Sequence, residues 1–231
     1  MIISIHQPNF FPWLGFFSKI YNSDAFVLLT DAQRSKTDKY LSRTLILNNS
    51  KKTYISIPLG KTQKKISLIN LPVEDAWKVK MISLINESYR KSKYFNEIHN
   101  DIEELIYADI NNFADYSINI ISFLLKRFDI RTDVYKDINF KRNFGVSNER
   151  NLSICQEFCA SKYLSGVGAR AYNDEAKYLE RNIELVYQNF QEIEYPQMSK
   201  VFIPGLSVID ALFNVGYLAT KQLIIDGQRK V

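Results

Sequence analysis

The opening of the chain constrains its fold more than any other stretch. Ile2-Ile3-Ser4-Ile5-His6 is an apolar run of strand length, closed by Gln7-Pro8-Asn9 because proline has no N–H to give to a ladder. After a loop carrying Pro12-Trp13, residues Leu14, Phe17, Ile20 and Tyr21 recur at helical spacing, which predicts a helix over Leu14 to Tyr21. Ala25 to Thr30 is a second apolar run of β-branched and aromatic character. Strand, helix and strand in such quick succession make a βαβ unit, whose two strands lie parallel.

The rest of the chain extends that beginning. Lys39 to Leu47 and Thr53 to Leu59 alternate as paired strands joined through Asn48-Asn49-Ser50-Lys51, a hairpin inserted after the second strand. Lys61 to Lys65 is a basic loop, and Ile66 to Leu71 is expected as a further strand. Asp75 can cap a helix whose apolar face carries Trp77, Met81, Leu84 and Ile85, and helical segments follow near Tyr94 to Tyr107 and Asn112 to Phe128. Val134-Tyr135 marks a strand. Ser147 opens a capping-box-like Ser-Asn-Glu-Arg ahead of a helix to about Ser161, and Tyr163-Leu164-Ser165-Gly166 runs from strand into glycine turn. A helix near Asn173 to Glu180, a strand at Ile183 to Tyr187 and a helical region from Ser207 complete the pattern. The expected fold is α/β: a mainly parallel sheet flanked by helices, with an inserted β-hairpin and a central helical layer. One domain spanning 1–231 is expected, with the helical segment at about 75–130 embedded in it.

Composition narrows the function classes. The chain has 46% apolar residues, enough for a continuous core and against disorder. Its 30 Lys and Arg against 25 Asp and Glu favour anionic partners only in a general way, without the dense basic block of a nucleic-acid binder. Nucleic-acid binding through Lys61 to Lys65 stays as a minor reading that predicts a steep salt dependence. Cys155 and Cys159 stand four apart in a helical segment, where a bridge does not form, and are read as reduced and buried. His6 and His99 do not stand at zinc-motif spacing, so no metal site is expected. The longest apolar stretches fall short of a membrane span and no signal-peptide pattern precedes the first strand, so membrane insertion is not expected and the location is expected to be cytoplasmic.

The chemistry concentrates at the end of the first strand. His6, Gln7, Asn9, Trp13 and Gly15 gather an imidazole, two amides, an indole and a glycine where open α/β sheets bind ligands, at the carboxyl ends of their strands. The competing reading is a proline-stiffened loop with Trp13 in the core and His6 hydrogen-bonded for support. Ser165-Gly166 with Gly168 can present a hydroxyl and bare backbone N–H groups to an anion, or can be a structural turn. Ser207 reads as a helix cap, and Asp210 and Asn214 share a helix face aimed at solvent or a cleft. No serine triad, paired-glutamate pattern, Walker motif or dinucleotide fingerprint can be assembled.

Those residues also carry a resemblance. His6-Gln7-Pro8-Asn9-Phe10, Pro12-Trp13 and Gly15-Phe16-Phe17 resemble the opening signature of the WbqC-like family. Thr30-Asp31-Ala32-Gln33-Arg34-Ser35-Lys36 is similar to the family's acidic-acidic-x-Gln-aromatic-x-Lys segment, with Thr30 in place of the first acid and Arg34 in place of the aromatic. Arg43 matches the centre of an Asn-Arg-Asn triplet whose flanks here are Ser42 and Thr44. Tyr163 to Tyr172, Tyr195-Pro196-Gln197, Phe202 to Asp210 and Asn214 follow the family pattern closely, so the likeness spans about residues 2–216.

The resemblance implies a part in O-antigen or capsule synthesis: transfer of a glycyl or other acyl group to the amine of a nucleotide-linked amino sugar. For that chemistry His6 is the natural base candidate, because its unperturbed pKa lies near working pH, and Asp31 is expected to orient it if the two strand ends are adjacent. Substrate would be held by Gln7, Asn9, Trp13, Gly15, Gln33, Arg43, Ser165, Gly166, Gly168, Tyr172, Gln197, Asp210 and Asn214. The acyl donor and its activation stay open. ATP is a possible cofactor by analogy with nucleotidylyl-transferase folds, whose His-x-Gly-His is not matched by Pro12-Trp13-Leu14-Gly15-Phe16. The alternatives are an ATP-dependent amide ligase and a non-catalytic component that binds a sugar nucleotide or glycan.

Overall fold

The computed structural model describes residues 1–34, 40–61, 63–140 and 143–228. The expected βαβ unit is present. Strand β1 (Ile2–His6) leads through helix α1 (Leu14–Tyr21) into β2 (Ala25–Leu28), and the two strands pair in parallel with Ile3 opposite Ala25 and His6 opposite Leu28. On the other side of β1 lies β6 (Lys162–Ser165), also parallel, with Ser4 opposite Leu164. Strands β5 (Asp133–Lys136) and β7 (Glu184–Tyr187) close the two edges, giving the order β5-β2-β1-β6-β7. All four pairings are parallel, so the sheet expected to be mainly parallel is wholly so.

Side chains alternate across this sheet into two cores. Phe26 and Leu28 of β2 face one, with α1, while Ile3, Ile5, Ala25 and Val27 face the other, with Leu152, Cys155 and Tyr178. Helices α5 (Ser147–Glu157) and α6 (Glu175–Leu179) cover that second face. The first face is covered by α1, by the helical layer α2 (Ala76–Tyr89), α3 (Phe95–Tyr107) and α4 (Phe113–Arg127), and by α7 (Val208–Asp226). Burial on both faces is what a parallel sheet requires, because its crossovers put helices on each side. Ser4, in the middle of β1, is fully buried and donates to the Leu164 carbonyl at 3.0 Å, with the Ser23 hydroxyl 2.6 Å away.

Local chemistry explains several boundaries. Asn112 caps α4, its side-chain oxygen accepting from the N–H of Ala114 at 2.9 Å and Asp115 at 3.2 Å. Ser207 caps α7, as its residue type suggested, accepting from the Ile209 N–H at 3.3 Å and donating to the Phe11 carbonyl at 2.8 Å. The hairpin is tighter than expected. β3 (Arg43–Asn48) and β4 (Lys51–Ser56) are joined by Asn49 and Ser50 alone, at φ 48° and 59°, the left-handed pair that a two-residue turn needs. Lys39, at the expected start of the first hairpin strand, lies outside the described residues.

Other expectations are corrected. Ile66 to Leu71 forms a single 3₁₀ turn at Ile66–Leu68 instead of a strand. Asp75 does not cap α2 through its side chain and pairs with Lys78 at 2.8 Å. Ser147 is the first residue of α5 at φ 54°, with Val146 in the cap position, so no capping box forms. Tyr21 is exposed, because α1 is enclosed from Leu14 to Ile20 and only its end reaches water. Cys155 is buried but Cys159 is exposed, since α5 has ended and Cys159 sits in a left-handed turn at φ 49°. Helix α7 is long and apolar enough to cross a membrane by length and composition, contrary to the sequence expectation. However, 56% of its apolar window is buried inside the protein.

Helix α7 is broken at Gly216, whose φ of 76° and ψ of 178° no helix contains. A Cβ there would lie 2.8 Å from the Tyr94 ring, so glycine is needed for both conformation and space. Gly216→Ala should therefore lower stability by roughly 1–3 kcal/mol in denaturant unfolding, through left-handed strain and overpacking. An unchanged midpoint would mean that the kink relaxes at no cost.

Candidate functional site

The strand order reverses at β1: the chain moves from β1 to β2 on one side and returns as β6 on the other. Crossovers that leave in opposite directions open a crevice at the carboxyl ends of the strands they leave. A cavity of about 410 Å³ occupies that place, with His6 from the end of β1, Ser165 from the end of β6 and Lys19 from α1 among its walls. Gln7, Leu29, Asn151 and Tyr172 also line a wider, more open depression of about 810 Å³ that reaches Asp31, Gln33 and Arg150. The two are halves of one cleft.

His6 lies against the edge of the Phe16 ring, the centroids 5.1 Å apart. Its Nδ1 is 2.9 Å from the Gln7 carbonyl oxygen. That oxygen can only accept, so Nδ1 carries the hydrogen and Nε2 keeps the lone pair. Burial, reinforced by the Lys19 charge, lowers the imidazole pKa to about 3, so the ring is neutral at ordinary pH. Lys19 is 2% exposed; its ammonium donates to the Ile5 carbonyl at 3.0 Å and lies 5.7 Å from the Phe26 ring centroid. Burial lowers its pKa to about 7.

Asp31 is held away from the histidine it was expected to orient, although the ends of β1 and β2 are adjacent. One carboxylate oxygen accepts from Lys65 at 2.7 Å and the other from Arg150 at 3.1 Å. Among the described residues no hydrogen bond joins Asp31 to His6. The same guanidinium reaches Asp137 at 3.5 Å. The other oxygen of Asp137 collects the Thr30 N–H at 2.7 Å, the Thr30 hydroxyl at 2.9 Å and the Asp31 N–H at 2.9 Å. Arg150 and Asp137 thus lock the loop after β2 to α5.

The remaining candidates divide between the cleft and other places. Gln7, Asn9, Gln33, Ser165, Gly166, Gly168 and Tyr172 line the cleft, with Tyr172 63% exposed at its rim. Neither glycine has a positive φ, and a Cβ on either would meet nothing within 4 Å. Trp13 lines a neighbouring, more apolar cavity of about 310 Å³ that shares Asn9 and Tyr40 with the cleft. Gly15 serves that indole: a Cβ on it would fall 2.2 Å from Trp13 ring atoms, so its role is packing. Arg43 sits on the hairpin with its guanidinium 4.6 Å from the Tyr54 ring centroid.

Gln197, Asp210 and Asn214 form a network away from the cleft. Asp210 is fully buried and accepts from Tyr89 at 2.8 Å, Tyr195 at 2.8 Å and Gln197 at 3.0 Å, while Asn214 donates to its carbonyl at 2.8 Å. Burial raises the Asp210 pKa against the pull of those three donors. With both carboxylate oxygens taken by protein, the network ties α2, α7 and the Tyr195 loop together. Sequence reasoning missed Lys19, Asn151 and Arg150. Lys19 did leave a signal: it is the one charged residue in Leu14 to Tyr21, a run of otherwise apolar or small residues and a tyrosine.

The profile of the WbqC-like protein family matches residues 7–222. An uncharacterized protein of Mycobacterium tuberculosis is 26% identical over 219 residues, covering 93% of this chain and 94% of its own length. No solved structure matches.

The imidazole gives a pH test. The ordinary pKa of 6.5 falls to about 3 in the fold, so between those values the unfolded chain binds a proton that the folded chain refuses, and stability declines as pH drops. Urea unfolding of wild type should lose roughly 2–4 kcal/mol more between pH 6.5 and 3.5 than His6→Gln. Parallel pH profiles for the two proteins would show that the ring is solvated.

Proposed function

The chain belongs to the WbqC-like protein family, and from that premise we propose that it is an enzyme of bacterial surface-polysaccharide synthesis. Its reaction in this reading is transfer of an acyl or aminoacyl group, such as glycyl, to the amine of a nucleotide-linked amino sugar. The observation that carries the proposal is the neutral His6 imidazole, lone pair on Nε2, in a cleft whose other polar groups include the Gln7, Asn9 and Asn151 amides and the Ser165 hydroxyl. Amide formation needs an unprotonated amine, an acceptor for the proton it sheds, and donors for the oxyanion that develops.

In this mechanism the sugar amine nitrogen attacks the acyl carbonyl carbon, a C–N bond forms, and the bond to the donor's leaving group breaks. Nε2 accepts a hydrogen bond from the attacking amine and aligns its lone pair. A ring with so low a pKa does not keep the proton and passes it on to the departing group. Amide and hydroxyl donors at the ends of β1 and β6 bind the sugar's oxygens.

A second reading, a component that binds a sugar nucleotide without catalysis, is favoured by the same depressed imidazole and by the exposed Tyr172 ring, a surface for stacking. Incubating the full chain with nucleotide-linked amino sugars and acyl donors, with and without ATP, and following product mass separates the two. Transfer adds the acyl mass to the sugar nucleotide, and His6→Gln lowers the rate by about 10²–10⁴-fold with little change in substrate affinity. Undiminished turnover by His6→Gln would remove the imidazole from the chemistry. Saturable binding with no mass gain across the panel would leave the binding reading, and a gain that requires ATP would identify a ligase.

A further inference from the structure

We infer that Lys19 anchors an oxyanion subsite at the floor of the cleft, where its ammonium takes a phosphate or carboxylate group of the ligand. The inference rests on the reading that this cleft is the ligand site, and it names the charge of what the cleft receives.

The first argument is a buried cation without a counter-anion. The Lys19 ammonium has three N–H donors, and among the described residues its only hydrogen bond is to the Ile5 carbonyl, at 3.0 Å, with no carboxylate within ion-pair distance. Burying a charge is expensive unless it is paired. Elsewhere the molecule obeys that rule: the Arg150 guanidinium, 12% exposed, is matched by both Asp31 and Asp137. Lys19, more deeply buried than Arg150, is left with a carbonyl and the Phe26 ring.

The second argument is what surrounds the cavity. Among its described lining residues there is no aspartate or glutamate, while Gln7, Asn9, Asn151 and Ser165 supply amide and hydroxyl donors beside the lysine. The neutral His6 ring carries no charge to attract an anion, and with its Nδ1 hydrogen engaged by the Gln7 carbonyl it offers the cleft only an acceptor at Nε2. Among the described residues lining the wider half of the cleft the one acidic group is Asp31, which Lys65 and Arg150 neutralise. The sheet adds position, since anionic ligands of doubly wound folds gather where strand order reverses, and Lys19 lines the cavity at the end of β1, at that reversal. An oxyanion held there would receive the free Lys19 donors and favour the charged amine that burial otherwise holds near neutrality.

Three small probes test this on the full chain at constant ionic strength: inorganic pyrophosphate, inorganic phosphate and acetate, with binding read by calorimetry and by the thermal midpoint. At least one probe should bind wild type saturably, and Lys19→Met should weaken it by roughly tenfold or more. Lys126→Met, an equal charge change on the surface of α4, should leave it unaltered. Preference for pyrophosphate and phosphate identifies a phosphate source, and preference for acetate a carboxylate. Unchanged affinity in Lys19→Met, or no saturable binding of any probe by wild type, overturns the subsite. Should Lys19→Met not fold, mass mapping of lysine acylation on wild type decides. The saturating probe should slow modification of Lys19 at least about tenfold and leave Lys126 alone, and equal rates with and without the probe overturn the subsite. Anion binding that survives while no acyl transfer is found sinks only the transfer mechanism; transfer without Lys19-dependent anion binding sinks only the subsite.

Discussion

Strand β1 is hydrogen-bonded on both sides to parallel neighbours, and most of the structure follows from that pairing. Parallel strands cannot be joined by tight turns, so each connection must carry a crossover, and crossovers on both sides of β1 put helices on both faces. Those helices divide the interior into two cores, which the alternation of β2 already separates, Phe26 and Leu28 to one and Ala25 and Val27 to the other. The same geometry brings the carboxyl ends of β1, β2 and β6 to one edge. A cleft there is a consequence of topology, before any side chain is chosen.

Side-chain electrostatics then give the two halves of the cleft different characters. In the wider half, Arg150, Asp31, Asp137 and Lys65 neutralise one another, fixing the loop after β2 against α5. In the narrower half, Lys19 and His6 are neighbouring basic groups; burial lowers both pKa values, and the Lys19 charge lowers that of His6 further. A network that satisfies itself rigidifies a fold, whereas an unsatisfied buried cation is a cost that a bound anion relieves. The Asp210 network belongs to the first kind, joining α2, α7 and the Tyr195 loop through one carboxylate.

Much of the fold was legible because it rests on local rules. Apolar runs of strand length, helical spacing in α1 and α2, and the cap at Ser207 all act over a few residues and leave direct signatures. The failures also have physical causes. Ser147 has a good cap's composition but adopts a left-handed conformation, because composition does not report dihedral angles. Ile66 to Leu71 is apolar enough for a strand, yet its backbone partners are scattered: Leu71 N–H bonds to the Asn111 carbonyl in a lone antiparallel bridge at Asn70 and Asn112, and Ser67 N–H bonds to the Thr30 carbonyl, so no strand-length ladder forms. Glycine at 15 read as part of a binding loop, although what it permits is the approach of the Trp13 ring.

The sequence by itself determined that the chain begins with a βαβ unit, continues as an α/β fold and carries His6, Gln7 and Asn9 at the carboxyl end of its first strand. Those properties follow from backbone hydrogen bonding and apolar periodicity, which neighbours along the chain decide. Only the tertiary structure decided which of the polar residues share a site. Asp31 meets Arg150 across 119 residues of chain, and Lys19 is stripped of solvent by strands and helices that converge from distant segments. Charge pairing and desolvation depend on which groups, and how little water, surround an atom in space, and residue order does not record that.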